Sequence, residues 1–474
     1  MNANLNLTKS DFLLFLDAPL HLWAKKHDHI DQPPSDFDIN MMKQGYEVEA
    51  LAKMFAENTL MNQDDNQPLI FQRIFTDGQY TAKTDILIHK PETNSFDLYE
   101  VKSGTSVKPE NIYDAAFQFL IIQQQIDIEH VFILHLNSKY IRGAEFELEQ
   151  LFVVEDISVK VEQLLDEVKI SRKIALNIAA LLSHENISPC YDPKNCPYPS
   201  ICHPDLPEVS IYDIPRLSKN KKSELLSMGI VGIEEVPESY SLSDKQRKIV
   251  DVLQSNEEYV NKKAIKGEFG KFIYPLYFLD YETYLSAIPL FEGYKPQQQM
   301  VFQYSLHKME ALEGEIKHTD HLAITKADPS QSLVKQLSKD IGAAGTVFVW
   351  NKAFEMTRNK EMAIIYPEHA DFLSHMNERI YDLGEFISNG YYLHPGFKGS
   401  WSIKNVLPVM IPELSYHGME IGKGDQAMMA WWNLVTDKIP IDEIDQTKRS
   451  LLKYCEMDTL AMVRIFLALA EKGN

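Results

Sequence analysis

The chain has 474 residues, of which 45% are hydrophobic and 24% charged, with 20 Gly, 23 Pro and 4 Cys. At roughly 100–200 residues per domain this is enough for two to four packed cores, and it excludes a fibrous, disordered or disulfide-scaffolded chain. The 68 acidic and 47 basic residues leave a net charge of -21, which excludes a surface coated with phosphate-binding cations but not a nuclease, whose bound metal ions invert the local sign of its carboxylates.

No run approaches the ~20 apolar residues of a membrane helix. The run Phe12-Leu13-Leu14-Phe15-Leu16 is short, flanked by Asp11 and Asp17, and lacks the marks of a signal peptide. Four Cys in so long a chain point to a reducing cytoplasm.

In chain order, helical spacing of apolar residues predicts a helix over 40–58. Strand-like runs follow at 84–89, 96–101 and 130–136, with Asn94-Ser95 as a hairpin turn between the first two. A helix is predicted at 112–125 and another at 157–183, leading into a Cys- and Pro-rich loop at 188–204. Residues 205–270 collect lysines and read as a helical linker, with helix, Gly-Ile turn and helix over 211–237. From 271 the pattern changes again. Strands at 274–279, 301–306 and 346–350 precede helical segments ending at 447–469. Helices packed around strands predict α/β architecture in both large parts, with domains at 1–204, 205–270 and 271–474.

Three constellations carry chemistry. In the first, Glu100 and Lys102 are two apart on one predicted strand and share a face, and Asp85 can join them from the neighbouring strand. Two carboxylates suit a hard divalent ion, and a lysine beside them suits an attacking water or a developing phosphate charge. An exposed Glu/Lys pair would look the same. In the second, Cys190, Cys196 and Cys202 crowd a Pro-rich loop that buries little, a spacing that suits an iron–sulfur cluster or Zn²⁺. In the third, Asp280 and Glu282 share one face at the end of an apolar strand, Glu355 lies one turn into a helix with Asn351 as its N-cap, and Tyr454 and Asp458 are four apart on a late helix. Burying carboxylates beside a strand core is costly unless a cation meets them.

The order of the first set, an Asp strand, then Glu100-Val101-Lys102, then a helix carrying Gln118, resembles the RecB-type branch of the PD-(D/E)XK nucleases. That resemblance implies a restriction-endonuclease-like domain over 1–204, with Glu49 after Gly45 as a first metal ligand and Glu47 as its competitor. Ile122 stands where the family often has an aromatic residue. Some RecB-type nucleases close an iron–sulfur cluster with a fourth, N-terminal Cys. Here Asp17-Ala18-Pro19 occupies that place, so His203 or His21 would have to substitute, which favours Zn²⁺ or a labile cluster.

The order Asp280-x-Glu282, Asn351-x-x-Phe354-Glu355, Tyr454-x-x-x-Asp458 resembles the DnaQ-like exonucleases of the DEDDy kind on the RNase H-like fold. This implies two Mg²⁺ or Mn²⁺ ions on Asp280, Glu282, Glu355 and Asp458, with Tyr454 orienting the water and Asn351 the substrate. Glu355 stands where the family usually has Asp. Ser402-Ile403-Lys404 resembles a helix start common between the second and third motifs.

Residues 211–237 resemble a helix-hairpin-helix, in which turn amides would meet a phosphate beside Lys219, Lys221 and Lys222. A plain helical linker fits them equally. The whole chain resembles a bacterial family that joins a RecB-type half to a DnaQ-like half. The expected function is a metal-dependent nuclease acting on single-stranded ends of DNA or RNA, without a membrane partner. A catalytically degenerate binding or scaffolding protein, and a hydrolase of small nucleotides, are the alternatives.

Overall fold

The structure is a computed structural model that describes residues 5–29, 33–60 and 68–473. The chain divides into two compact units, Met1–Asp205 with Ser286–Gln298, and Leu206–Leu285 with Gln299–Asn474. Both are mixed α/β. Among the described residues no helix is long and apolar enough to cross a membrane.

The first unit opens with helices α1 (Lys9–Asp17), α2 (Pro19–Lys26) and α3 (Asp36–Phe55). Thr8 caps α1 and Ser35 caps α3, each with an Asp three residues on that reaches back to the cap amide. Strands β1 (Leu69–Phe71), β2 (Ile86–Lys90) and β3 (Ser95–Lys102) follow, then helix α4 (Pro109–Ile122), strands β4 (Ile128–Leu136) and β5 (Phe152–Asp156), and helix α5 (Ser158–Ala179). The sheet order is β1-β2-β3-β4-β5, antiparallel except for the β3–β4 pair. Alternation along the strands feeds two cores. Leu87, Leu98 and Ile133 pack toward α1, α4 and α5, while Ile86, Ile88 and Tyr99 pack toward α3.

The second unit starts with helices α6 (Lys219–Ser227) and α7 (Asp244–Ser255) around a small apolar cluster of Ile211, Leu225, Ile233 and Val250. Strands β6 (Leu276–Leu285), β7 (Gln299–Met309) and β8 (Ile316–Leu322) form an antiparallel meander. Helix α8 (Pro329–Asp340) leads to β9 (Thr346–Val349), and α9 (Lys352–Ile365) leads on toward β10 (Ile380–Asp382). Both strands run parallel to β6, giving the order β8-β7-β6-β9-β10. Helices α10 (Ile403–Met410), α11 (Gly424–Val435) and α12 (Ile444–Gly473) complete the unit. Central β6 is covered on both faces. Leu276 and Phe278 pack with Phe466 of α12, and Tyr277 and Leu279 pack with Leu333 of α8.

Three expectations need correction. Residues 205–270 group with the second unit rather than standing as a separate domain. Around the Gly229 turn only α6 is an α-helix, since Ile211–Asp213 and Ile233–Glu235 are single 3₁₀ turns. Residues 286–298, expected with the C-terminal domain, belong to the first unit. Within that unit the Ala287 N–H donates to Gln44 Oε1 (2.6 Å), Arg142 to the Pro289 carbonyl (2.8 Å) and Gln297 to the Ser103 carbonyl (2.8 Å). These long-range bonds have no local signature in the sequence.

Candidate functional site

The apolar run at the start of β6 holds its polar end in place. Asp280 is half-buried and Glu282 buried, and the pairing register with β7 shifts between Glu282 and Thr283. Such a bulge re-aims side chains. The ligand atoms of Asp280, Glu282 and Cys455 all lie within 4.8 Å of one another. Cys455 donates to Asp280 Oδ2 (Sγ···O 3.6 Å), so the buried face of α12 lies against β6. Tyr454 and Asp458 share that face of α12, and both are buried. Tyr416 donates to Asp458 Oδ1 (2.6 Å).

Glu355, in the first turn of α9, is buried, and its Oε2 has no hydrogen-bond partner. Asn351 does occupy the N-cap position, but with φ 90° and no side-chain cap bond. Asp382 from the end of β10 takes the capping role instead, accepting from the Lys352 N–H (3.0 Å). Asn351 itself is exposed.

The electrostatics of this group are one-sided. Burial first, and then the Asp458 charge, push Asp280 well above the ordinary carboxylate range. Burial followed by Asp280 and Asp458 does the same to Glu282, and burial followed by Asp280 does so to Glu355. Burial pushes Asp458 up to about 6 against the Tyr416 hydrogen bond and the Lys404 charge. Lys404, from the first turn of α10, is the cation whose charge Asp280, Glu282 and Asp458 all feel, and its Nζ lies 5.8 Å from the ring centres of both Tyr416 and Tyr454. Carboxylates gathered with so little counter-charge, one with a buried orphan oxygen, could hold hard divalent cations, which take oxygen ligands.

The first unit has a second acidic group of opposite character. The Glu100 carboxylate accepts from Lys9 Nζ (2.5 Å), Lys102 Nζ (2.9 Å) and Gln118 Nε2 (2.7 Å). Asp114 accepts from Lys102 (2.5 Å) and Gln118 (3.0 Å). Asp85 accepts the Val101 N–H (2.9 Å), and Gln72 Nε2 bridges it (3.4 Å) to Glu49 (2.6 Å). The structure thus brings Glu49, Asp85, Glu100, Lys102 and Gln118 into one network, while Glu47 is exposed. Burial works against the charged form of Glu100, but Lys102 and Lys9 override it and hold Glu100 below its usual range. Burial and the Glu100 charge raise Asp85 to about 7.

The Cys loop closes on α2. The ligand atoms of His21, Cys190, Cys196 and Cys202 all lie within 4.8 Å of one another, and all four residues are buried. His21 Nε2 is 3.3 Å from Cys196 Sγ, and His203 Nε2 is 3.2 Å from Cys190 Sγ. All the cysteines are free thiols.

The middle module does not present its turn amides as a phosphate site requires. Gly229 N–H and Ile230 N–H donate to the carbonyls of Leu226 and Leu225, and Val231 and Gly232 donate to Glu235 Oε2 (3.0 Å each). Lys219, Lys221 and Lys222 sit in the first turn of α6, where Lys221 bonds the Ser241 carbonyl and Lys222 lies over the Tyr212 ring.

Sequence reasoning missed Lys9, Gln72 and Asp114 in the first unit and Tyr416 in the second, and it set Cys455 aside as a ligand, although its thiol lies against Asp280. Asp114 was within reach, being four residues before Gln118 on the same helix face. Lys9 and Tyr416 come from distant segments with no pattern of their own.

A family described as "Domain of unknown function (DUF2779)" matches residues 277–402, a span that includes Asp280, Glu282 and Glu355. "Uncharacterized protein MG366" of Mycoplasma genitalium is 25% identical over 236 residues, covering 46% of this chain and 35% of the relative. The "Uncharacterized protein MG366 homolog" of Mycoplasma pneumoniae is 27% identical over 208 residues, covering 40% of this chain and 31% of the relative. The matches span about a third of the length of these curated relatives. A solved structure, "Crystal structure of SSO0001", overlaps 44% of this chain and 90% of its own at 9% identity with a TM-score of 0.23.

Proposed function

We propose that this chain is a metal-dependent nuclease that hydrolyses phosphodiester bonds of DNA or RNA. In this reading the second unit is an RNase H-like, DnaQ-type 3′–5′ exonuclease of the DEDDy kind. The first unit is a PD-(D/E)XK domain with a second nuclease centre at Asp85, Glu100 and Lys102. The chain is then a member of the bacterial family that joins these two halves.

One observation carries the proposal. Asp280 and Glu282 on β6 come within 4.8 Å of Cys455 on α12, and the charges of Glu355 on α9 and Asp458 on α12 act on the same pair, with Lys404 as the cation felt by Asp280, Glu282 and Asp458. The order of the strands, an antiparallel meander continued by two parallel strands on the other side of β6, agrees with the reading. Two Mg²⁺ or Mn²⁺ ions on these carboxylates would supply an activated water and stabilise the leaving oxygen. Tyr416 holds the Asp458 carboxylate, and Tyr454 stands beside it to orient the water. In this reading Lys404, whose Nζ donates to the Gly422 carbonyl (3.1 Å), would meet a substrate phosphate. The longer side chain of Glu355 shifts its carboxylate by about one methylene relative to Asp, and Mg²⁺ geometry is strict, so Mn²⁺ is the expected better cofactor.

The test is degradation of end-labelled single-stranded DNA and RNA in Mn²⁺. Asp280→Ala should lower the rate by about 1,000-fold or more, the size of effect that loss of metal-based charge stabilisation carries. Equal residual activity in Asp280→Ala and the parent would remove the exonuclease claim. Cleavage of a dinucleotide but not a polymer would assign the site to small nucleotides.

A second reading, in which the first unit binds nucleic acid or acts as a scaffold without cutting, is favoured by one contact. Lys9 already occupies Glu100 Oε1. Circular single strands offer no end to the second unit. Their cleavage by the parent, and its loss in Glu100→Gln, would support a working first centre, whereas intact circles with the parent would support the scaffold.

A further inference from the structure

We infer that His21, Cys190, Cys196 and Cys202 form a tetrahedral site for a single Zn²⁺ that staples the N-terminal helices of the first unit to its C-terminal loop. The resemblance drawn from the sequence allowed an iron–sulfur cluster. The donor set does not fit one. Such clusters ordinarily take four thiolates carried on different irons, whereas this chain offers three thiolates and an imidazole whose ligand atoms all lie within 4.8 Å of one another. A single zinc ion has the right size. With Zn–S about 2.3 Å and Zn–N about 2.0 Å, tetrahedral angles put neighbouring donors roughly 3.5–3.8 Å apart. The His21 Nε2 to Cys196 Sγ separation of 3.3 Å is already close to that.

The site is built rather than accidental. His21 is 1% exposed and the three cysteines between 5% and 8%. Its other ring nitrogen, Nδ1, lies 2.8 Å from Oδ2 of Asp17, the last residue of α1. A carboxylate in that position fixes the ring and its tautomer and leaves Nε2 to face the ligand, as at metal-bound histidines generally. Asp17 occupies the place expected for a fourth cysteine, so the acid supports the ligand instead of being one. His203 touches Cys190, but it lies outside the set of four mutually close donors.

His21 and Cys196 are 175 positions apart, so a metal bond between them closes a very long loop. Because ligands of this kind are not gathered in an unfolded chain, the binding free energy is folding free energy. Helix α1, just before His21, carries Lys9, which is ion-paired with Glu100. The staple therefore also steadies a cation of the first acidic centre, although the site itself does not depend on that centre being a nuclease.

The experiment is metal analysis of the full chain, purified without chelator, together with Co²⁺ substitution. Elemental analysis should give one zinc per chain, with no iron and no acid-labile sulfide. Co²⁺ should produce a near-ultraviolet thiolate charge-transfer band and visible bands of tetrahedral intensity, which carboxylate-bound cobalt does not give. His21→Ala should weaken zinc binding by at least roughly 100-fold, and Asp17→Asn by roughly 10-fold. His203→Ala should leave it unchanged, and His21→Cys should restore a tetrahedral spectrum if His21→Ala proves poorly folded. Stoichiometric iron with sulfide, an intact mass showing a Cys190–Cys202 disulfide, the absence of the thiolate–cobalt band, or zinc retained in His21→Ala and lost in His203→Ala would each overturn the proposal.

Discussion

The two acidic centres of this molecule solve the problem of buried carboxylates in opposite ways. In the first unit Glu100 is met by Lys9, Lys102 and Gln118, and Asp114 by Lys102 and Gln118. In the second unit Asp280, Glu282, Glu355 and Asp458 repel one another, and a Glu355 oxygen is buried without a donor. A centre compensated by its own lysines is stable as it stands. A centre with little counter-charge is costly to bury as it stands, and that difference is what favours the second unit over the first as the proposed site for divalent ions.

The largest expected contrast is in stability without metal. Glu100→Gln leaves the half-buried Lys9 and Lys102 with one partner neutralised and should destabilise the first unit by about 2–3 kcal/mol, less than the penalty for fully buried pairs. Asp280→Asn removes one like charge from the second centre and should stabilise the metal-free second unit by roughly 1–3 kcal/mol. Chemical denaturation followed by probes in each unit measures both. Destabilisation by Asp280→Asn of the size seen for Glu100→Gln would erase the distinction.

Mn²⁺ sharpens the comparison. At a concentration about 100 times its Kd, bound ion should stabilise the second unit by about 2.7 kcal/mol. The gain should persist in Glu100→Gln and vanish in Asp280→Asn. Thermal unfolding with and without Mn²⁺ is the measurement.

The smallest effect is in pH. Asp458 is pushed up to about 6, so the folded state holds its proton more tightly than the unfolded chain. The stability that Asp458 contributes to the metal-free second unit should then be lost as pH rises from about 4 through 6, and Asp458→Asn should remove that part of the pH dependence while leaving the part due to Asp280, Glu282 and Glu355. Glu100 is held below its usual range, so its contribution is full above about 4.5 and is lost only in more acid solution. A metal-free pH profile of Asp458→Asn identical to the parent would contradict the assignment.

Much of this was legible in the sequence, because the acids lie at regular spacings. Asp280 and Glu282 follow the two-residue period of a strand, Tyr454 and Asp458 the four-residue spacing of a helix, and Glu100 and Lys102 again the strand period. What could not be read came from tertiary packing. Asn351 has the residue type of an N-cap, yet its left-handed backbone turned it away and Asp382 capped the helix from a strand thirty residues later. Lys9 reaches Glu100 across 91 positions, and His21 as well as His203 meets the cysteines because α2 packs against the loop. The Gly-Ile turn looked open to phosphate, but Glu235 in the following turn accepts two of its amides.

The most direct test of the central contrast is anomalous diffraction from crystals soaked in Mn²⁺. The account predicts two ions about 3.5–4 Å apart among Asp280, Glu282, Glu355 and Asp458, absent in Asp280→Asn crystals. A Mn²⁺-soaked crystal with no ion among those four carboxylates would contradict it.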